Sequence, residues 1–221
     1  MRPWLASIQL YGPHMEAFCA DLSRAYDNED GPPWLRILTC LRSPGVHAVA
    51  VFRFGQWIKS EGLLVRILLD PIYVLFQLAV QMIWGIDLPR GARIGAGLYI
   101  GHFGGITISR KAVIGRNCNL SQDITIGGSG TPGKNGGYPV IGDDVYIAPG
   151  ARIFGRIIIG NNVKIGANAV VHRHVPDNAV VVLDPGFRIL SLNGNRQRLR
   201  PGPGQATRVK ACAHGKISAI N

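Results

Sequence analysis

The residues best suited to chemistry lie where a regular pattern in the second half of the chain is interrupted. His102 falls in the first interruption, a short glycine-containing segment at residues 101–105. An imidazole can accept a proton from a hydroxyl group near neutral pH. The second interruption, residues 127–139, is longer and contains six glycines. Because a repetitive fold usually carries its function where its register breaks, these two segments are the candidate sites.

The pattern itself is a six-residue repeat of aliphatic side chains, seven of which are followed directly by glycine. A period of six fits neither a helix nor an ordinary two-faced strand. It predicts a parallel β-helix of hexapeptide repeats, with coils stacked roughly 4.8 Å apart. The thirteen aliphatic positions are Leu88, Ile94, Ile100, Ile108, Ile114, Leu120, Ile126, Ile141, Ile147, Ile153, Ile159, Ile165 and Val171.

A second set of small or branched residues lies four positions after many of these anchors, and we expect it to point inward as well. Cys118 belongs to this set, so we interpret it as a packing residue, not a reactive thiol. The members are Ala92, Ala112, Cys118, Val145, Ala151, Val163 and Ala169.

Composition limits the function classes. The formal net charge is +11, from 24 Lys and Arg against 13 Asp and Glu. No acidic residue follows Asp184, whereas basic residues accumulate there. Without interleaved aromatic residues or a recognisable motif, specific nucleic-acid binding is not expected. Anionic lipid or the phosphates of an acyl-CoA are more natural partners for this charge.

The four cysteines are scattered without paired spacing, so neither a disulfide framework nor a zinc ribbon is indicated. The N-terminus does not resemble a signal peptide. We therefore expect a cytoplasmic protein, with association at the inner face of the membrane as a further possibility to test.

The chain is predicted to have three parts after an unstructured start at residues 1–12. Residues 13–86 form a helical region, 87–190 the β-helix, and 191–221 a basic, flexible tail. The apolar segment Leu63–Trp84 is interrupted by Asp70 and Pro71. Because the run after Pro71 is shorter than the roughly 20 residues that a membrane span needs, we expect a buried helix. Peripheral contact with a bilayer is the alternative.

Several segments together resemble bacterial serine acetyltransferases and cover roughly residues 34–190. They are the helix at 43–58, the stretch Gly85-Ile86-Asp87-Leu88-Pro89, the Ile100-Gly101-His102 bulge, the Thr125–Gly130 loop and the closing coils up to Pro176. The resemblance implies a left-handed parallel β-helix, a homotrimer, and active sites between neighbouring subunits. The left hand would be an exception to the usual crossover rule.

The resemblance also assigns roles. His102 would be the general base and Asp87, fifteen residues earlier, would orient it. The acceptor hydroxyl would attack acetyl-CoA directly, and backbone N–H groups would hold the oxyanion. The positions matching acyl-CoA contacts are Gly128, Ser129, Ala148, Lys164 and Ala167.

This chain departs from the family in the acceptor pocket. The family has an aspartate before the bulge histidine and an Arg-His pair before the loop proline, where this chain has Gly101, Gly137 and Tyr138. A serine zwitterion would lose its charged partners there. We therefore expect the acceptor to be a sugar hydroxyl, as in the exopolysaccharide and colanic-acid branch of the family, with Tyr138 either as a sugar platform or as packing for the loop.

Three alternatives remain open. Serine O-acetylation is the second candidate reaction, and a non-catalytic trimeric scaffold is the second class of function. A zinc enzyme on the same fold is disfavoured, since His172 and His174 lie about four coils from His102 and three convergent ligands are needed. No metal cofactor is expected.

Overall fold

The computed structural model describes residues 13–130 and 136–183. These residues belong to the first of two compact units, which ends at Leu183. The predictions made for residues 1–12 and for the tail at 191–221 concern residues outside this description.

Four helices come first, as predicted for the N-terminal region. A proline occupies the first turn of α2 and α3, where its missing N–H group costs no hydrogen bond. Gly85 ends α4 in the left-handed conformation with φ of 63°. The helices are α1 (Pro13–Asp27), α2 (Pro33–Arg42), α3 (Pro44–Ser60) and α4 (Leu63–Trp84).

Helix α4 differs from its prediction in two respects. It continues through Pro71 without a break. It is also largely exposed, since only Tyr73 and Val80 of its 22 residues are buried. The prediction of a buried helix is therefore wrong, because hydropathy reports the composition of a segment and not the neighbours that cover it.

Fourteen short strands follow in the described residues and pair only in parallel. Sheet 1 has the order β1-β4-β7-β10-β13, sheet 2 β11-β8-β5-β2, and sheet 3 β14-β12-β9-β6-β3. The strands are β1 (Ile86–Asp87), β2 (Arg93–Ile94), β3 (Tyr99–Ile100), β4 (Ile106–Ile108), β5 (Val113–Ile114), β6 (Asn119–Leu120), β7 (Thr125–Gly127), β8 (Val140–Ile141), β9 (Tyr146–Ile147), β10 (Arg152–Phe154), β11 (Ile158–Ile159), β12 (Lys164–Ile165), β13 (Val170–Val171) and β14 (Val180–Val181).

Each coil visits sheets 1, 2 and 3 in turn, so the repeat forms a three-sided prism. All thirteen aliphatic anchors are buried, each no more than 6% exposed, and the second inward set is buried with them. This interior is one continuous apolar column, and burying each such side chain contributes about 1.5–3 kcal/mol. The prediction of a left-handed parallel β-helix preceded by helices is confirmed.

Two corners of the prism matter for function. The "His102 corner" joins sheet 3 to sheet 1 and comprises residues 101–105, 121–124, 148–151 and 166–169. The "loop corner" joins sheet 1 to sheet 2 and comprises residues 88–92, 109–112, 128–139, 155–157 and 172–174, described except for 131–135.

A buried ion pair fixes the helices to the first coil. The Arg53 Nε donates to Asp21 Oδ2 over 2.7 Å, and both side chains are at most 5% exposed. Arg53 also donates to the Ile94 carbonyl at 2.8 Å, and Asp21 Oδ1 accepts from the Leu98 backbone N–H at 2.7 Å. Helices α1 and α3 are thereby joined to the coil that leads into His102.

Candidate active site

His102 lies between β3 and β4, at the start of the His102 corner, and its side chain is exposed. Within the described residues it has no hydrogen-bond partner. The N-terminus of α3 packs directly behind this segment, where a Cβ at Gly45 would overlap the Ile100 carbonyl. Helix α3 therefore supports the backbone that carries the imidazole, and neither ring nitrogen is hydrogen-bonded within the described residues.

Asp87 is half-buried on β1, and α4 holds its carboxylate. Its Oδ1 accepts from Gln81 Nε2 at 2.7 Å and, more weakly, from Gln77 Nε2 at 3.5 Å. Its Oδ2 has no donor among the described residues. No hydrogen bond joins Asp87 to His102 within this part of one chain, so their pairing stays a prediction.

Tyr138 lies at the base of the loop corner. Its ring packs against Gly128, where a Cβ would come within 3.1 Å of the ring, and Lys111 Nζ lies 5.3 Å from the ring centroid. The Tyr138 ring therefore makes a cation–π contact with Lys111 and packs against the start of the loop at Gly128. Of the two roles considered for Tyr138, packing of the loop is the one with visible contacts.

Below Tyr138 the loop corner opens into a cleft of about 1030 Å³. Its walls include Arg156, Arg173, His172 and His174, and no carboxylate lines it among the described residues. Ser129 also lines it. Such a cleft suits an anionic ligand several atoms long.

Arg156 was not predicted as a site residue. A Cβ at Gly137 would lie 2.8 Å from the Cβ of Arg156, so the arginine stands beside the position where the resembling family carries its own arginine. Nineteen residues separate the two in sequence. Only the stacking of one coil on the next brings them together, and the irregular loop length hides that register in the sequence.

The predicted acyl-CoA contacts divide between the two corners. Gly128 and Ser129 belong to the loop corner, whereas Ala148 and Ala167 belong to the His102 corner, and Lys164 is exposed on sheet 3. Gly101, predicted in the acceptor pocket, lies beside His102 and is exposed. Sheet 1 separates the two corners, so the predicted contacts of one chain fall into two groups, which we call half-sites.

Cys118 takes no part in either half-site. It is fully buried, and burial raises the pKa of its thiol to about 11. A thiol of that pKa is almost entirely protonated at neutral pH and a poor nucleophile. Its prediction as a packing residue is confirmed. Among the described residues, no group of three or more His, Cys, Asp or Glu side chains could hold a metal ion.

Comparison with known proteins assigns the family. Residues 138–173 match the bacterial transferase hexapeptide family (six repeats). The serine acetyltransferase of Mycobacterium tuberculosis is 36% identical over 175 residues, covering 78% of this chain and 72% of that protein. The chain belongs to the serine acetyltransferase family. The prediction of an acyl-CoA-dependent O-acetyltransferase is thereby confirmed.

Solved structures of the serine acetyltransferase family agree. The Neisseria gonorrhoeae enzyme in complex with serine has a TM-score of 0.64 at 29% identity, covering 84% of this chain and 73% of that one. The Brucella abortus enzyme in complex with coenzyme A has a TM-score of 0.65 at 26% identity, covering 85% and 72%. Against several other family members the chain spans only 46–62% of their length.

The prediction of a sugar acceptor, and with it the exopolysaccharide and colanic-acid branch, is wrong. The eight curated relatives compared are 34–46% identical and are all named serine acetyltransferase. The prediction relied on the loss of charge at Gly101, Gly137 and Tyr138. Arg156 and Lys111, from other coils, place positive charge beside Gly137 and Tyr138 at the loop corner.

Proposed function

We propose that the protein transfers the acetyl group of acetyl-CoA to the hydroxyl of free serine. The observation that carries this proposal is the exposed His102, which has no partner in the described part of the chain and lies at a break in a serine acetyltransferase fold. A relative of this fold binds serine and another binds coenzyme A. A single imidazole of this kind contributes about 10²–10⁴ in rate as a general base.

The reaction proceeds without a covalent enzyme intermediate. His102 removes the hydroxyl proton while the serine oxygen attacks the thioester carbonyl carbon. When the tetrahedral intermediate collapses, the C–S bond breaks and the imidazolium returns its proton to the CoA sulfur. Asp87 is the proposed carboxylate partner of the imidazolium, with Oδ1 fixed by Gln81 and Oδ2 open to accept a hydrogen bond.

Arg156 is the proposed partner of the serine carboxylate. A guanidinium can bind a carboxylate through two parallel N–H bonds, and Arg156 stands next to Gly137 at the head of the basic cleft. An acceptor that presents no anion would leave this cation without its ligand. The arginine therefore selects an amino acid over a neutral sugar.

Acetyl-CoA is proposed to run along the stacked coils. Gly128, Ser129, Ala148 and Ala167 are small residues that allow a pantetheine chain to approach the backbone, and Ala148 is itself only 7% exposed. Lys164 on sheet 3 is the proposed cation for a CoA phosphate at the other end.

Two copies of the chain are needed to complete one site. The base lies at the His102 corner and the anion-binding arginine at the loop corner, with sheet 1 between them. A closed ring of three copies sets the His102 corner of one copy against the loop corner of the next. We propose this homotrimer as the active form.

The test is thiol release from acetyl-CoA with free serine, against alanine, which lacks only the hydroxyl. We expect saturable turnover with serine and background release with alanine. Turnover on a neutral oligosaccharide with none on serine, at any serine concentration up to tens of millimolar, would contradict the proposal.

A further inference from the structure

Helix α4 presents a broad apolar surface that the described residues leave uncovered. Leu64, Leu68, Leu75 and Met82 recur at intervals of four and seven and therefore share one face of the helix. They are 78%, 72%, 66% and 83% exposed. The helix has 22 residues, and an 18-residue window within it has a mean hydropathy of 1.9, enough by length and composition to cross a membrane. An apolar face of this extent marks an interaction surface.

A basic cleft borders this face. It measures about 920 Å³, and its walls include five cations and one carboxylate, Asp87, which Gln81 holds. Arg66 lines both this cleft and a shallow apolar depression formed with Leu63 and Ile67 on α4 itself. The remaining cations are Lys59, Arg90, Arg110 and Lys111.

The cations of this cleft outnumber the carboxylates near them. Arg90 pairs with Asp70, and Lys111 lies over the Tyr138 ring. Among the described residues, Lys59, Arg66 and Arg110 are exposed and form no ion pair within 4 Å, although the charge of Arg66 also helps to lower the pKa of Asp70. The exposed apolar face of α4 is thus bordered on one side by the cations of this cleft, which we call the basic rim.

We propose that α4 and its basic rim bind the surface of an anionic lipid bilayer. The apolar face enters the boundary between headgroups and acyl chains, while Lys59 and Arg66 on α3 and α4 contact lipid phosphates. A second copy is a poorer occupant, because it would bring a like basic rim against the first.

The helix lies on the bilayer and does not cross it. Tyr73 and Val80 pack inward, a Cβ at Gly55 of α3 would overlap the Tyr73 ring, and Gln81 holds Asp87 of the first strand. A spanning α4 would have to give up these contacts or carry β1 into hydrocarbon. Binding along the surface keeps them all.

The proposal is tested by flotation of the full chain with vesicles of phosphatidylcholine alone or mixed with phosphatidylglycerol. We expect binding to the anionic vesicles that weakens as salt is added. The double variant Leu68→Gln with Leu75→Gln should lower the partition coefficient roughly tenfold or more. Lys59→Gln with Arg66→Gln should lower it roughly fivefold per charge on anionic vesicles.

Matched controls lie elsewhere on the repeat. Val180→Gln removes an exposed apolar residue of the last coil, and Arg116→Gln removes an exposed cation between sheets 2 and 3. Both should bind as the wild type does, and circular dichroism melts should show all variants folded. The proposal is overturned if the wild type does not float with anionic vesicles, or if the control and α4 variants weaken binding equally. If the wild type binds no vesicles and the α4 variant has a lower oligomer mass by light scattering, α4 contacts a second copy of the chain and the proposal is overturned.

Discussion

The two corners of the prism are built from the same repeat and differ in chemistry. The His102 corner carries small residues and an exposed imidazole that has no hydrogen-bond partner within residues 13–130 and 136–183. The loop corner carries cations, with Lys111 over Tyr138 and Arg156 beside Gly137. One corner carries the proposed base and the other the proposed anion-binding cation, so each supplies a different part of the proposed site.

The difference shows how a solenoid can divide its function. Its interior is uniform, because every coil must bury the same aliphatic anchors to stack. Its corners are free to vary, since a corner side chain contacts only the coil above and the coil below. Function can therefore collect at corners, and the proposed trimer would join corners that one chain keeps apart.

The largest expected effect comes from removing the base at the His102 corner. His102→Ala should lower kcat for serine acetylation about 10²–10⁴-fold, with little change in the KM for acetyl-CoA. Thiol release under saturating substrates measures it. His14→Ala on α1 is the matched control and should behave as wild type; a mutant that keeps its full rate would remove His102 from the mechanism.

A second large effect is expected on the free energy of unfolding, from the buried Asp21–Arg53 ion pair that joins the helices to the coil leading into His102. Arg53→Met should cost about 3–5 kcal/mol of unfolding free energy, because Asp21 is left as a buried, unpaired charge. Denaturant unfolding with a spectroscopic signal measures it. A cost below 1 kcal/mol would show that the pair does not anchor the helices.

The control for that variant is Arg90→Met, which breaks the more exposed Asp70–Arg90 pair and should cost much less. Arg90 holds the pKa of Asp70 below its usual value, chiefly through their hydrogen bond. The stability that the Asp70–Arg90 pair contributes is present above the ordinary carboxyl pKa and is lost as the pH falls through the lowered pKa of Asp70. The difference in unfolding free energy between the wild type and Arg90→Met should therefore vanish in acid.

At the loop corner, Arg156→Gln should raise the KM for serine about 10- to 100-fold, the usual cost of a lost charge-assisted hydrogen bond. The KM for acetyl-CoA should change far less. Steady-state kinetics with each substrate varied in turn separates the two. Arg116→Gln serves as the control, and an equal rise in both KM values would argue that Arg156 binds coenzyme A instead.

The smallest effect concerns the support of Asp87. Gln81→Leu should lower kcat about tenfold, because one hydrogen bond to the carboxylate is lost. The KM values should hold, while the pH dependence of kcat changes. Gln77→Leu is the matched control, since its 3.5 Å bond is the weaker of the two. Equal effects from both glutamines would indicate a general disturbance of α4.

Much of the fold followed from the sequence because six-residue periodicity is a local signal. Anchors such as Ile126 and Val171 are buried as the period predicted, and Cys118 packs in the second inward row. The exposure of α4 was not predictable in the same way. Whether an apolar helix is covered depends on which other elements reach it, and hydropathy contains no such information.

The site was predictable only in part for a related reason. His102 is conspicuous because it interrupts a pattern. Arg156 occupies an ordinary corner position, and its nearness to Gly137 depends on how an irregular loop folds back onto the next coil. The acceptor prediction failed at this point, because it counted charges along the chain and missed the charge supplied by a neighbouring coil.

The most direct test of the divided site is complementation between two impaired variants. His102→Ala and Arg156→Gln are unfolded together, mixed in equal amounts and reassembled, then assayed at low serine concentration. If each site takes its base from one copy and its arginine from the next, about one site in four regains both native residues, and activity should return toward that fraction of wild type. Activity no higher than the average of the two separate variants would show that both residues act within a single chain and would contradict the account.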